Sequence, residues 1–451
     1  MLLFVILTYT LPIDSPQMGD IEYLQLRGLI DIPSIRPYDA EWIINQIDEI
    51  LVSEIELNTV DRKIISHFTP LLNKNPNFSY LFHIIGEYQN EPQIYQGALD
   101  ERLGGNLFKD LRFAQAMRIR RANKLDSLGP APWHEFQAYL TEGLVTFKHE
   151  KTRFELGRRN FLIGPGDTHG LLLSQDRQGY DGFFLHVPSQ YYEFYGMFSM
   201  LDAAPPRYLS LHHFGLDLRR FLKIGFTEAI LWSGSLEPLY LNIFLPFYLS
   251  QWGLDRDDNI MWSFDLQLHI LNSIFYSELL IDDYMYEDDP YPDKLAYQVG
   301  LKSLLWKSLV AKLNYTRVDK WVYTHHEEQN TYERSGRCLG FPSGNDVDQL
   351  TFTLKYVEWH GMSPHISVGY VRKGEGSIYV PYEIEGGPIN PPFPSGEVER
   401  TFEMKIGTDY NLIRNFYLMV DIGKTYRYNT NHIADNDSDH FVFNLGIWAI
   451  L

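Results

Sequence analysis

Glu399–Asn411 reads ERTFEMKIGTDYN, and Asn415–Thr425 follows as NFYLMVDIGKT. In the first stretch Phe402, Met404, Ile406, Thr408 and Tyr410 share one parity, while Glu403, Lys405, Gly407 and Asp409 hold the other. In the second, Phe416, Leu418, Val420 and Ile422 alternate with Tyr417, Met419, Asp421 and Gly423. Alternation with period two over ten residues is the pattern of a strand with one apolar and one polar face. The same pattern returns in Phe441, Phe443, Leu445, Ile447, Ala449 and Leu451, in Leu350 to Tyr356, and in Leu309 to Tyr315. Carried backward to residue 78, it predicts about 18 strands, among them 152–162, 219–231 and 306–325.

A soluble sandwich or propeller also alternates, so the loops must decide. The expected connections alternate in length. Ile163–Tyr180, Ser233–Asn259, His326–Asp348, Gly374–Val398 and Asn429–Asp437 are long, whereas Ile270-Leu271 and Leu412–Asn415 are tight. Long loops at one end and short turns at the other are the habit of an outer-membrane barrel. Composition agrees: 15% of the 451 residues are aromatic, and amphipathic rings collect at membrane interfaces. No apolar run is long enough for a spanning helix, so a membrane setting would require a closed barrel. The expectation is a mainly β protein: a large up-and-down transmembrane antiparallel barrel in the bacterial outer membrane.

Before residue 77 the period changes. Tyr23, Leu24, Leu26 and Leu29 precede Pro33; Ile43, Ile47, Ile50 and Leu51 recur at helical spacing behind Asp39, a good N-cap; Ile64, Ile65, Phe68 and Leu72 mark a third helix. The expected division is a possible signal segment at 1–17, a periplasmic helical bundle at 18–76 and the barrel at 77–451. Met1–Leu11 is apolar like a signal peptide, although it lacks the preceding basic residues and the small-residue cleavage site. A buried first strand is the alternative. One position resists the barrel pattern: Glu228 shares the apolar parity of Leu222, Ile224, Phe226 and Ile230. A bulge turning it into the lumen is the expected repair.

Several stretches resemble the Wzi-type capsule-assembly proteins of bacterial outer membranes. They are Leu26-Arg27-Gly28-Leu29-Ile30 with Arg36-Pro37; Leu156-Gly157-Arg158, Gly164-Pro165-Gly166 and Leu171-Leu172-Leu173-Ser174; Ile224 to Ala229; Asp257-Asp258-Asn259; and Glu278 to Tyr284. The resemblance implies a barrel of about 18 strands with a periplasmic helical bundle. It also implies a lectin-like role in retaining or organising capsular polysaccharide, without catalysis. The loops, where a sugar would bind, depart from the enterobacterial members.

For glycan contact the candidates are rings and carboxylates near the outer loops: Trp232, Tyr240, Trp252, Tyr284, Tyr286, Asp257, Asp258, Asn259, Asp282 and Asp283, with Tyr291, Trp321 and Tyr323 beside them. Most such rings, taken singly, would serve the interfacial girdle. The net charge of −19 argues against nucleic acid. Cys338 is the only cysteine, which excludes an internal disulfide and a thiolate metal cluster. His325-His326-Glu327-Glu328 lacks the spacing of a helical zinc site, and Asp435–Asp439 is followed by His440 where a calcium loop needs glycine. No cofactor, metal or catalytic residue is therefore expected. The expected partners are surface polysaccharide and outer-membrane lipid, and the expected state is a monomer. The rivals are a porin-like channel, with Lys312, Lys355, Lys405, Glu403 and Asp409 lining a wet lumen, and an outer-membrane enzyme acting on lipid or glycan. The loop Ile163–Tyr180, with its Gly164-Pro165-Gly166 fold-back, is the segment expected to plug the lumen.

Overall fold

A computed structural model describes residues 10–11, 15–72, 78–90, 94–122, 130–175, 179–218, 221–284, 291–413 and 416–450. Eighteen antiparallel strands close into one barrel. In chain order they are β1 (Phe78–Gln89), β2 (Ile94–Asn106), β3 (Leu111–Ala122), β4 (Phe136–His149), β5 (Thr152–Arg159), β6 (Tyr180–Pro188), β7 (Tyr192–Ala203), β8 (Pro206–Leu218), β9 (Leu222–Ser233), β10 (Asn259–Ile270), β11 (Ser273–Asp283), β12 (Lys294–Trp306), β13 (Leu309–Val318), β14 (Val347–Tyr356), β15 (Met362–Lys373), β16 (Glu399–Ile413), β17 (Phe416–Tyr428) and β18 (Ser438–Ile450). The seam runs between β18 and β1, where Leu445 pairs with Gly86 and Ile447 with Ile84. Closure removes the exposed strand edges, which a bilayer does not tolerate.

The alternation read from the sequence is the alternation of the wall. Phe402, Met404, Ile406, Leu313, Leu350 and Phe352 are exposed on the outside. From the opposite face, Lys405 reaches Glu403 at 2.8 Å, and Lys355 reaches Asp409 at 2.7 Å. An apolar exterior around a polar interior is the reverse of a soluble barrel and suits a bilayer. One end of the wall carries connections of two to five residues, while the other carries the loops 160–179, 234–258, 319–346 and 374–398. By that asymmetry the first end is inner and the second outer. Among the described residues no helix is long and apolar enough to cross a membrane.

Three helices, α1 (Gln17–Leu26), α2 (Ala40–Val52) and α3 (Thr59–Leu72), cork the inner mouth. Asp39 caps α2 as its sequence position suggests, its Oδ1 accepting from the Glu41 amide at 2.9 Å. Asn58 caps α3 in the same way, taking the Val60 and Asp61 amides at 2.7 and 2.9 Å. Ile21, Tyr23, Leu24 and Leu26 of α1 are buried all round, against Ile43 and Ile47, against Ile64 and Phe68, and against wall residues including Leu81, Ile274, Leu304 and Trp448. Each fully buried Ile, Leu or Phe stabilises this packing by roughly 1.5–3 kcal/mol. Ion pairs fasten the cork around the rim. Glu41 meets Arg112 at 2.8 Å and Lys148 at 2.7 Å, Asp39 meets Arg153 at 2.6 Å, Asp31 pairs with Lys223, and Lys63 pairs with Glu358. Residues 1–9 lie outside the described residues; Thr10-Leu11 pair antiparallel with Tyr38-Asp39.

Three expectations need correction. The strand expected at 152–162 leaves the wall at Arg159, and Leu162-Ile163 pair instead with Ile35-Arg36 inside the barrel. The strand expected at 306–325 begins at Leu309 and ends at Val318. Beyond it Trp321, Val322 and Tyr323 leave the wall and are buried, Val322 and Tyr323 in one core with Leu171, Leu172 and Leu173, so apolar residues continue although the wall does not. The third concerns Glu228. The pairing of β9 with β8 and β10 runs without a register shift from Leu222 to Leu231, so no bulge exists. Glu228 points outward, and the loop 234–258 folds over it.

Candidate functional site

The lumen is occupied by the chain itself. Arg36, buried, sends Nη1 to the Asp167 carbonyl at 2.8 Å and Nη2 to the carbonyls of Gly164 (3.1 Å) and Gly166. The Gly164-Pro165-Gly166 turn thus folds inward as its composition suggests. Gly164, at φ +112°, also lies so close to the Glu278 carboxylate that a side chain there would collide with it. Asp167 sits between Lys302, with which it pairs, and Lys312 at 2.8 Å, and Glu22 of α1 approaches the same two lysines at 3.6 and 3.1 Å. Burial alone would raise the Asp167 carboxyl, but the two ammonium groups hold it well below the usual carboxylate range. Burial pushes the nearby His169 imidazole down to about 4, so it is neutral at neutral pH.

Above this joint Leu171, Leu172 and Leu173 are fully buried. Glu278 accepts the Leu171 amide at 3.1 Å and the Ser263 hydroxyl at 3.1 Å. The loop 319–346 closes down from the outside: Tyr323 donates its hydroxyl to the Leu171 carbonyl at 2.5 Å, and the Phe341 amide donates to Tyr323 Oη at 3.1 Å. Ser174 donates its amide to the Leu339 carbonyl at 2.8 Å. The short hairpin Glu333-Arg334/Arg337-Cys338 belongs to this loop; its thiol is unpaired and only partly buried. Cork, plug and outer lid thus fill the bore beside β5–β13. Along β14–β18 and β1–β3 the inner face stays polar and partly exposed, with His365 at 2.8 Å from Asp421 and Arg118 at 2.6 Å from Asp100. A separate cleft of about 200 Å³ opens at the inner rim, lined by Trp42, Lys151, Arg153, His186 and Tyr192.

The outer-loop residues singled out in the sequence fall into three groups. Trp232 and Tyr240 are fully buried and stack edge to face at 5.1 Å, so neither can meet a sugar in this arrangement; both are withdrawn as glycan contacts. Asp258 and Asn259 are buried too. Asp258 accepts from Tyr240 at 2.9 Å and faces Arg256 at 3.0 Å, while Asn259 donates to the Asn330 carbonyl at 2.9 Å. These two residues tie loops together. Trp252 and Tyr284 are the open ones, at 74% and 62% exposure. Asp257 is also exposed and lies 3.8 and 3.5 Å from His325 and His326. Asp282 accepts the Tyr323 amide at 2.5 Å, and Asp283 faces Lys294 at 3.7 Å. Tyr286 lies outside the described residues, with Glu287, Asp288 and Asp289.

A cluster that no local spacing announces joins three outer loops. Tyr382, from 374–398, meets Tyr291 at 5.9 Å and Trp321 at 5.4 Å, both edge to face, and Lys320 lies 4.6 Å above the Trp321 ring. Nearby, the Arg317 guanidinium lies 3.7 Å from the Phe393 ring centroid. Trp321 is buried and backs the cluster, whereas partly exposed rings such as Tyr291 and Tyr382 beside charged groups can stack on the C–H faces of a sugar while the charges take its hydroxyls.

No family model matches the chain, and no curated protein matches it in sequence. Solved structures do match in fold. Wzi, an outer membrane protein involved in group 1 capsule assembly in Escherichia coli and a carbohydrate-binding β-barrel, superposes with a TM-score of 0.70 at 15% identity, over 96% of this chain and 98% of that one. OccD3 of Pseudomonas aeruginosa matches with a TM-score of 0.50 at 10% identity, over 83% and 91% of the two chains. The outer membrane protein OprD of the same organism gives 0.50 at 10% identity, over 83% and 93%. At such identities the likeness is one of fold. With its apolar wall, polar interior and corked bore, the chain is an 18-strand outer-membrane β-barrel similar in architecture to Wzi across nearly its whole length.

Proposed function

We propose that this barrel retains polysaccharide at the bacterial surface and does not conduct. The observation that carries the reading is the filled bore: the N-terminal helices, the segment 160–175 and the lid 319–346 all occupy space that a transport pore leaves to water. With the part of its interior beside β5–β13 spent on packing, the barrel offers ligands its outer face. There Tyr291, Tyr382 and Lys320 form a ring-and-charge surface, and Tyr284, after the outer end of β11, is also open. The carbohydrate binding named for Wzi, the similar barrel, agrees with this assignment.

The test is to delete the gene and to score cell-attached against shed polysaccharide. Loss of the protein should move polysaccharide into the medium. The Tyr291→Ala/Tyr382→Ala double variant should do so partially while the barrel still assembles. Equal attachment with and without the protein rejects the role and leaves the fold standing. A porin-like channel is the second reading, favoured by the partly exposed polar face along β14–β18, and conductance decides against or for it.

A further inference from the structure

The loop 234–258 connects β9 to β10 at the outer end, where a loop ordinarily stands in water. It does not stand there. It contains two short helices, α4 (Pro238–Leu241) and α5 (Phe247–Leu254), and lies down over the outside of the wall. Phe244 stacks on Phe194 at 5.0 Å with the planes 12° apart. Phe194 begins the cross-strand row Phe194–Phe214–Phe226–Phe264–Leu279, of which Phe214, Phe264 and Leu279 are exposed on the apolar exterior. Ile243 lies so close to Gly196 that a side chain there would collide with it. On the outer part of the wall Trp232, Tyr240, Phe247 and Ile230 form a small core of their own.

Glu228 is the fastening point. Its carboxylate accepts the amides of Phe247 (2.8 Å) and Tyr248 (3.0 Å) at the start of α5, together with Trp262 Nε1 at 3.1 Å, and it faces His212 Nε2 at 3.2 Å. Those bonds make a carboxylate tolerable on a surface that faces hydrocarbon, and they satisfy amides that have no partner within the helix. Residues 238–254 contain no charged side chain. The charges gather where the segment leaves and rejoins the rim: Arg256 lies 3.0 Å from Asp258 and 3.6 Å from Glu237. The face turned away from the barrel carries Leu249 and Trp252, and Phe244, although stacked on Phe194, stays open at its other side; each is more than 60% exposed.

From this geometry we propose that residues 238–254 form a paddle lying within the bilayer against the outside of the wall, whose exposed face binds the acyl chains of membrane lipids. The apolar belt of the barrel runs continuously onto the paddle, and an uncharged run of this length in water would leave an apolar patch uncovered. The charged cluster around Arg256 marks the headgroup level, and Trp252 is a lipid contact and not a sugar platform. The assignment is independent of the polysaccharide role.

Nitroxide labels test it, placed by Phe244→Cys and Trp252→Cys in a Cys338→Ser background, with Ile433→Cys in the loop 429–437 as the aqueous reference. The proteins are reconstituted in phosphatidylcholine vesicles, and collision with oxygen is compared with collision with a water-soluble nickel chelate. Labels at 244 and 252 should favour oxygen several-fold, and the label at 433 should favour nickel. Adding Glu228→Ala should release the paddle and raise nickel access at 252, with the barrel checked by its resistance to heat in detergent. Nickel access at 244 and 252 equal to that at 433 overturns the proposal. So does dipolar broadening between labels, which would make a second copy of the chain the occupant.

Discussion

In a planar bilayer the native chain passes no steady current, and the double variant Arg36→Ala/Asp167→Ala opens. Arg36 holds three plug carbonyls, and Asp167 neutralises Lys302 and Lys312. Removing both leaves the turn carbonyls without a donor and the two ammonium groups with Glu22 alone, a change of about 3–5 kcal/mol for each broken buried pair. The plug then loosens from the cork, and the bore beside β12 and β13 fills with water. Because unplugged barrels of this strand number leave an aqueous channel, discrete openings should rise on the order of tenfold above the native background. Large, steady currents from the native chain would remove the binding reading and restore the channel.

The second large effect lies in the cork. Asp61 is fully buried and accepts Tyr23 Oη at 2.8 Å, both arms of Arg27 at 3.0 Å and the Asn58 amide at 2.9 Å. It joins the end of α1 to the start of α3, at the amino end of a helix where a carboxylate is favoured. Asp61→Ala should destabilise the helices by about 3–5 kcal/mol while the wall holds. The helical circular-dichroism signal would melt well before the β signal, and coincident unchanged melts would refute the assignment. A pH effect follows with a defined sign. Burial raises the Asp61 carboxyl, yet Arg27 and the amide outweigh it and leave it below the ordinary value. A depressed carboxyl contributes stability above the unfolded value of about 3.9 and loses it as the pH falls through the folded value. The native cork should therefore hold at neutral pH and weaken below about pH 4, and the alanine variant should lose that dependence.

The wall was legible in the sequence because a strand between lipid and water must alternate, and β16, β17 and β18 do so almost without exception. The caps of α2 and the inward turn at Gly164 were legible for the same reason: each is a local requirement on a few adjacent residues. What failed was whatever depends on the far side of a residue. Trp321 and Tyr323 keep the parity of the preceding wall strand because buried packing in the lid also needs apolar side chains. Glu228 contradicts lipid only until α5 supplies its amides from the outside. Trp232 and Tyr240 read as open rings because nothing near them in sequence reveals that the loop after β9 folds back over the wall. Tyr382 and Trp321 lie 61 positions apart, and only the closed barrel brings them together.

The seam between Phe78–Gln89 and Ser438–Ile450 fixes an order of events. Arg36 is locked to the 164–167 turn, and Leu171 to Glu278 and Tyr323, inside a ring that no bulky, charged segment could enter once it is shut. Biogenesis must therefore wrap the sheet around contents already gathered, with the last hairpin zipping home at the end. An insertion intermediate arrested before that zipping should already shield the amides of Leu171, Leu172 and Leu173 from deuterium, and free exchange at those three would show that the stopper is threaded afterwards.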